Sequence, residues 1–342
     1  MQKSNAVLIT GGAGYIGSHT CVCLLQSCFP VIVLDNFCNS NRATLDKIQE
    51  ISKKTLILIE GDIRDHNLLQ SIFKKYSIES VIHLASLKAV GESVSMPLEY
   101  FDNNVTGSLI LLEEMAKAGV KSLVFSSSAT VYGDPTSVPI SEEFPLQTLN
   151  PYGRSKLMVE NILRDIFRAD PAWRIALLRY FNPVGAHNSG LIGENPNGKP
   201  NNLIPFIAEV AVGKQSELLI FGDDYPTRDG TGVRDYIHVE DLALGHLATL
   251  EYLENNRGLI SFNLGTGKGY SVFEVIEAFE RASQRKIPYR VVSRRGGDIA
   301  ECYANPNLAK KIMGWQAKLG LDRMCEDAWR WQVNSDAHNK SH

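Results

Sequence analysis

The stretch Ala6-Val7-Leu8-Ile9-Thr10-Gly11-Gly12-Ala13-Gly14-Tyr15-Ile16-Gly17 decides the fold. Its first five residues read as a buried strand, glycines recur at 11, 14 and 17, and residues 18–25 continue as a helix. In that order Gly11 permits a tight turn, Gly14 a close approach of backbone to a diphosphate, and Gly17 the packing of helix on strand. The uncapped amides of the helix then attract the anion. A second strand ends at Val33-Leu34-Asp35, which puts a carboxylate where the ribose hydroxyls of a dinucleotide would lie. Asp35 would repel a 2′-phosphate and no Arg follows it directly, so the expected cofactor is NAD.

Outward from this cradle, short apolar runs at 6–10, 31–34, 55–60, 80–84, 122–126 and 174–180 alternate with helix-length segments. That rhythm predicts an α/β chain, a Rossmann-type doubly wound parallel sheet with a smaller α/β substrate-binding domain. Pro and Gly punctuate 185–230, predicting long loops over one end of the sheet, and regular pattern resumes at 238–253 and 261–264. The expected division is an NAD-binding domain of 1–182, to which 236–267 return, and a substrate-binding domain of 183–235 and 268–342, frayed after Trp331.

Composition narrows the function classes. With 342 residues, 44% hydrophobic and 21% charged, the chain is neither disordered nor disulfide-stapled. Lys+Arg 35 against Asp+Glu 38 gives −3, without the basic face that nucleic-acid binding needs. Residues 6–10 are too short for a signal-peptide core and no apolar run reaches membrane length, so a cytoplasmic location and no membrane are expected. Cys21, Cys23, Cys28, Cys38, Cys302 and Cys325 lack paired zinc spacing and read as reduced thiols, and the eight histidines form no ligand motif. No metal is expected.

The chemistry lies further along. Asn150-Pro151-Tyr152-Gly153-Arg154-Ser155-Lys156 opens a helix, with Asn150 as cap and Pro151 at its first position, so Tyr152 and Lys156 share one face. A phenol with an ordinary pKa of ~10 is a poor base near neutrality; a neighbouring ammonium, together with the positive nicotinamide ring, is expected to bring it nearer the working pH. Ser126-Ser127-Ser128 ends a strand at the sheet edge where ligands bind, ready to hold a substrate oxygen. Asp62-Ile63, after the third strand, reads as an adenine contact.

These residues resemble the signature of the extended short-chain dehydrogenase/reductases. Residues 10–19 (TGGAGYIGSH), 87–94 (LKAVGESV), 126–134 (SSSATVYGD), 179–186 (RYFNPVGA) and 225–239 (YPTRDGTGVRDYIHV), with the segment around Arg295 to Asp298, are similar to the UDP-glucose 4-epimerases within that family. The resemblance implies that Tyr15, Ile16, Asp35, Asn36, Asn39 and Ser40 meet the pyrophosphate and ribose. It puts Asp62 and Ile63 on adenine, and Leu84, Ala85, Ser86, Leu87, Lys88, Asn103 and Phe181 along the rest of the NAD site. Ser128, Tyr152 and Lys156 become the catalytic group. Lys88, Asn182, Asn202, Leu203, Leu219, Ile220, Phe221, Arg234, Arg295, Asp298 and Cys302 would hold the UDP-sugar, with the two guanidinium forks suited to a diphosphate. Leu84 and Ser86 depart from the commoner Phe and Gly of relatives.

The implied reaction inverts C4 of a UDP-hexose through a 4-keto sugar. Cys302 stands where relatives restricted to glucose and galactose carry Tyr, so UDP-GlcNAc and UDP-GalNAc are expected substrates too. Two rivals are a 4,6-dehydratase, which needs an Asp-Glu pair where this chain reads Ser128-Ala129-Thr130, and an NAD-binding sensor, which has no use for Tyr152 and Lys156. A homodimer is expected, through helices near Leu98 and Pro151 that carry surplus apolar residues, Ile110-Leu111-Leu112 with Met115 and Leu157-Met158 with Ile162.

Overall fold

The computed structural model describes residues 5–195, 198, 200 and 202–339. In chain order, β1 (Ala6–Thr10), α1 (Tyr15–Gln26), β2 (Val31–Asp35), α2 (Ala43–Ser52), β3 (Ile57–Glu60), α3 (His66–Lys75) and β4 (Ile78–His83) build the first half of a sheet. Next come α4 (Val90–Ser95), α5 (Pro97–Phe101), a π-turn over Asp102–Thr106, α6 (Gly107–Ala118), β5 (Ser122–Ser128), a 3₁₀ turn over Ala129–Tyr132, α7 (Pro151–Ala169) and β6 (Arg174–Tyr180). The remainder is β7 (Asn182–Val184), α8 (Leu203–Ala211), β8 (Leu218–Phe221), β9 (Val233–His238), α9 (Val239–Asn255), β10 (Gly258–Leu264), β11 (Gly269–Ser271), α10 (Val272–Ser283), β12 (Tyr289–Val292), β13 (Glu301–Cys302), α11 (Asn307–Met313) and α12 (Leu321–Asn339).

Seven parallel strands form the large sheet in the order β10-β6-β5-β4-β1-β2-β3. The chain runs outward from β1 through β2 and β3, then jumps to β4 on the other side. The crevice between the carboxyl ends of β1 and β4 is therefore the topological switch point, where such sheets take ligands. Apolar residues bury both faces: Ile9, Val33, Val124 and Leu178 pack with α1 and α9 on one side, Leu8, Leu123, Leu177 and Phe125 with α3, α6 and α7 on the other. A separate core around Ile207, Phe279 and Met324 joins α8, α10 and α12.

Several expected boundaries shift. β3 begins at Ile57 and is only partly buried because it is the sheet's edge. β4 starts at Ile78, and β5 runs on to Ser128, pairing Ser127 with Arg179 and Ser128 with Tyr180. The helix expected near Leu98 is broken by the π-turn into α5 and α6. Within the expected loop region 185–230, α8 and β8 are regular. The expected fraying after Trp331 is also corrected, since α12 continues to Asn339. No helix among the described residues is long and apolar enough to cross a membrane.

Candidate active site

A cleft of about 550 Å³ opens at the switch point. Its floor is the glycine turn. Gly11 sits at φ 72°, a conformation costly for side-chain residues, and a Cβ at Gly17 would lie 2.2 Å from the Gly11 carbonyl oxygen and 2.7 Å from Gly12 Cα. The helix can approach the turn this closely only without a side chain there. Gly14 precedes α1 and no side chain caps it, so the first amides of α1 are left for an anion at the cleft. This cradle fits a dinucleotide diphosphate.

Asp35, at the end of β2, lines the cleft beside Asn36, Asn39 and Ser40. Its carboxylate accepts from the Ala13 amide at 2.9 Å, the Phe37 amide at 2.9 Å and Ser40 Oγ at 2.8 Å, binding the glycine turn to the β2 loop. Ile63 also lines the cleft. Asp62 does not, because its carboxylate is held by Arg64 and by Asn36, and those bonds keep it well below the usual carboxylate range.

Opposite the glycines, residues 84–88 leave β4 along the cleft wall. Thr10 Oγ1 accepts from the Leu84 and Ala85 amides, while Asn104 accepts from the Leu87 amide at 2.8 Å and donates to the Leu87 carbonyl at 3.0 Å. Asn104 also donates to Ser155 Oγ on α7 at 3.0 Å. The π-turn that breaks the expected helix thus carries Asn103 to the cleft and lets Asn104 tie the cofactor wall to the helix bearing Tyr152.

Asn150 caps α7 by accepting from the Gly153 amide at 2.8 Å, and Pro151 fills the first position, which fixes where the helix starts. Tyr152 and Lys156 then lie on the cleft side with Ser126, Ser127 and Ser128. Lys156 Nζ donates to the Ser126 carbonyl at 2.8 Å and lies 5.9 Å from the centre of the Tyr152 ring. Burial pushes its ammonium down to about 7. The Tyr152 phenol is raised by burial, partly offset by a hydrogen bond with Ser128. The lowering expected from the ammonium together with the nicotinamide ring belongs to the loaded site; in the chain alone desolvation sets the direction upward.

Beneath the pair lies a network that sequence reasoning missed. Glu160, one turn beyond Lys156, is fully buried and accepts from Ser127 Oγ at 2.6 Å and from Arg179 of β6 at 2.7 and 3.0 Å. Arg179 continues to Tyr132 and the Glu142 carbonyl. The charges of a Y-x-x-x-K-x-x-x-E run were the available signal, but the partner arginine lies on another strand.

Phe181, Asn182 and Asn202 complete the cleft wall. Leu203, Leu219, Ile220, Phe221, Arg234, Arg295, Asp298 and Cys302 do not line it, and group instead in the second lobe. Arg295 pairs with Asp298 at 3.1 Å and stacks over Phe221 at 5.2 Å, while β9 sets Arg234 beside Cys302 of β13. Cys302 is buried with Phe181, Val131 and Ala304. β7 pairs Asn182 with Tyr236 on β9, and Arg234 lies two residues before Tyr236 on that strand. Elsewhere His238, Glu240 and Asp327 converge, but His238 accepts from the Glu240 amide and bonds Asp327, which also holds Arg323 and Arg330. That cluster is an ion-pair network.

The profile of the family described as GDP-mannose 4,6 dehydratase matches residues 8–328. The UDP-glucose 4-epimerase of Bacillus subtilis is 59% identical over 96% of this chain and 97% of its own. The human UDP-glucose 4-epimerase is 56% identical over 95% of this chain and 96% of its own. The UDP-glucose 4-epimerase of Bifidobacterium longum, solved in complex with NAD⁺ and UDP, superimposes with a TM-score of 0.95 at 52% identity, covering 97% of this chain and 99% of that one. The dehydratase reading is not favoured: β5 ends at Ser128 and is followed by Ala129-Thr130, and the carboxylates lining the cleft among the described residues are Asp35 and Glu194, both engaged in protein contacts. With glycine cradle, Ser128, Tyr152 and Lys156 in one cleft and such similarity across the chain, it belongs to the UDP-glucose 4-epimerase family of the extended short-chain dehydrogenase/reductases.

Proposed function

We propose that the chain, an NAD-dependent epimerase acting on UDP-hexoses, inverts the C4 hydroxyl with Tyr152 as the group that takes up and returns its proton. The observation that carries this reading is the meeting of Ser128, Tyr152 and Lys156 beside the glycine cradle in a single cleft. NAD, when bound, supplies the acceptor that draws hydride from C4 and gives it back to the opposite face, so no net oxidation occurs. Ser128 steadies the C4 oxygen. Lys156 holds the nicotinamide ribose and, as an ammonium, favours the Tyr152 phenolate. Gly11, Gly14, Tyr15, Ile16, Gly17, Asp35, Asn36, Asn39 and Ser40 hold the diphosphate and adenosine side, with Ile63 at the adenine and Asp62, outside the cleft lining, bracing Asn36.

The second-lobe group of Arg234, Arg295, Asp298, Leu203 and residues 219–221 is proposed to grip the uridine diphosphate, in a UDP-sugar-binding domain of 183–235 and 268–342. The buried thiol of Cys302 leaves room for an acetamido group, extending the substrates to UDP-GlcNAc and UDP-GalNAc. A cytoplasmic homodimer is proposed, with no nucleic-acid partner. Its support is Leu98, 81% exposed, with Val94 and Met158 also exposed on helices that neighbour one another. Leu111, Leu112 and Met115, expected in that contact, are instead consumed by the chain's own core. Conversion of UDP-galactose to UDP-glucose without net NADH formation tests the activity, and failure of the holoenzyme to convert it would reject the reading.

A further inference from the structure

An acidic side chain is the wrong sign for a cleft that must admit two diphosphates, yet Glu194 lines it with only 9% of its side chain exposed. Its charge is spent within the protein. One oxygen, Oε1, accepts from Lys88 Nζ at 2.8 Å and from Asn202 Nδ2 at 2.9 Å. Its own backbone carbonyl accepts from Trp331 Nε1 of α12 at 3.0 Å. Gly193 lies flat against the same indole, where a Cβ would come within 2.5 Å of Trp331 Cγ. The segment is therefore clamped on α12 by its backbone, and its side chain reaches across to the β4 loop.

We propose that Glu194 is a positioning residue that joins the two walls of the cleft, setting Lys88 and Asn202 at the distance from which both meet the sugar nucleotide. The inference rests on the epimerase reading for the ligand and on the geometry for the device. Lys88 is 45% exposed on a four-carbon stem and would sample many rotamers without a fixed partner. Its ammonium lies 5.8 Å from the Tyr15 ring centre, and Tyr15 in turn donates to the Gly185 carbonyl at 2.7 Å. Glu194 thus selects the rotamer that spans cradle and second lobe. Asn202, which precedes α8, is drawn to the same oxygen, so one carboxylate sets two donors from two different segments of the cleft wall.

The test compares wild type, Glu194→Gln, Lys88→Met and the double variant, all as holoenzyme. Equilibrium binding of UDP is measured alongside KM and kcat for UDP-galactose and the NAD retained after gel filtration. For Glu194→Gln the expected result is a KM and a UDP dissociation constant raised roughly tenfold, as for loss of a charge-assisted bond. It should also retain less NAD, with kcat within about threefold and an unchanged melting temperature. The double variant should bind UDP more weakly than Lys88→Met only by the share that Asn202 contributes, well short of the full Glu194→Gln penalty. Unchanged UDP affinity and NAD retention, a kcat loss with KM unmoved, or multiplying penalties in the double variant would each overturn it. Because UDP binding is read without turnover, a wild type that fails to convert UDP-galactose refutes the activity and still leaves the Glu194 comparison to stand or fall by itself.

Discussion

Lys156→Met should make the cofactor-free chain more stable while abolishing its chemistry. Lys156 is fully buried, with the Ser126 carbonyl accepting from its ammonium and the faces of Phe125 and Tyr152 at 5.1 and 5.9 Å. Burial takes its titration from 10.5 to about 7. The folded pKa lies below the unfolded one, so between these values the unfolded chain binds the proton more readily and stability rises with pH through that window. At pH 7 the cost of holding Lys156 inside is about 4 kcal/mol. Methionine of similar length removes that cost and forfeits one hydrogen bond, itself about 1 kcal/mol, leaving a net gain of about 3 kcal/mol at neutral pH that fades toward pH 10. For a chain of this size the gain is a rise in melting temperature of about 5 °C. Thermal scans of NAD-stripped wild type and variant at pH 7 and pH 10 decide the matter. A variant that melts at or below wild type at pH 7, or a difference equal at both pH values, refutes the argument. The expected result is a site that gives up stability to keep a charge where catalysis needs it.

Tyr152→Phe should lower turnover roughly 10²–10⁴-fold while NAD stays bound, measured by steady-state assay and by the cofactor content of the purified protein. Gly17→Ala, whose Cβ would sit 2.2 Å from the Gly11 carbonyl oxygen, should open the cradle and empty it of NAD, which cofactor release on denaturation would show. Cys302→Tyr should abolish interconversion of the N-acetylated UDP-hexosamines and spare UDP-glucose and UDP-galactose; equal loss of both would reject the gate. Arg179→Met should destabilise the fold by roughly 3–5 kcal/mol, toward the lower end because Arg164 and Ser127 still bond Glu160, as read by urea unfolding.

What the sequence revealed was what is local. Glycines at 11, 14 and 17, the cap Asn150 and the Tyr152–Lys156 spacing each lie within one turn or helix, so period and spacing suffice to place them. The tie from Asn104 to Leu87 and Ser155, the Glu160–Arg179 pair and the Glu194–Lys88 bridge were invisible for a common reason. Each joins residues distant in sequence, and nothing in either segment names its partner. The same gap explains the misplaced apolar residues: a helical period identifies Leu111 and Met115 as face-forming but not which surface covers them. The phenol's raised titration belongs to this class as well, since desolvation is a property of the assembled cleft.

The late return of β10 to the large sheet bears on synthesis. β6, whose residues from Ile175 onward are fully enclosed in the finished protein, receives its outer neighbour only when Gly258–Leu264 emerges. Until then a strand with the apolar run Ile175–Leu178 at its centre is the rim of the growing sheet, its amides and carbonyls open to any neighbouring chain. At ordinary elongation rates residues 181–257 take roughly 4 to 15 seconds to appear, long enough for a chaperone to matter. Nascent chains arrested at 257 should be cut by protease within β6, and chains long enough to free β10 from the ribosome should resist, so the hazard in making this protein lies in the interval before the last strand of its large sheet arrives.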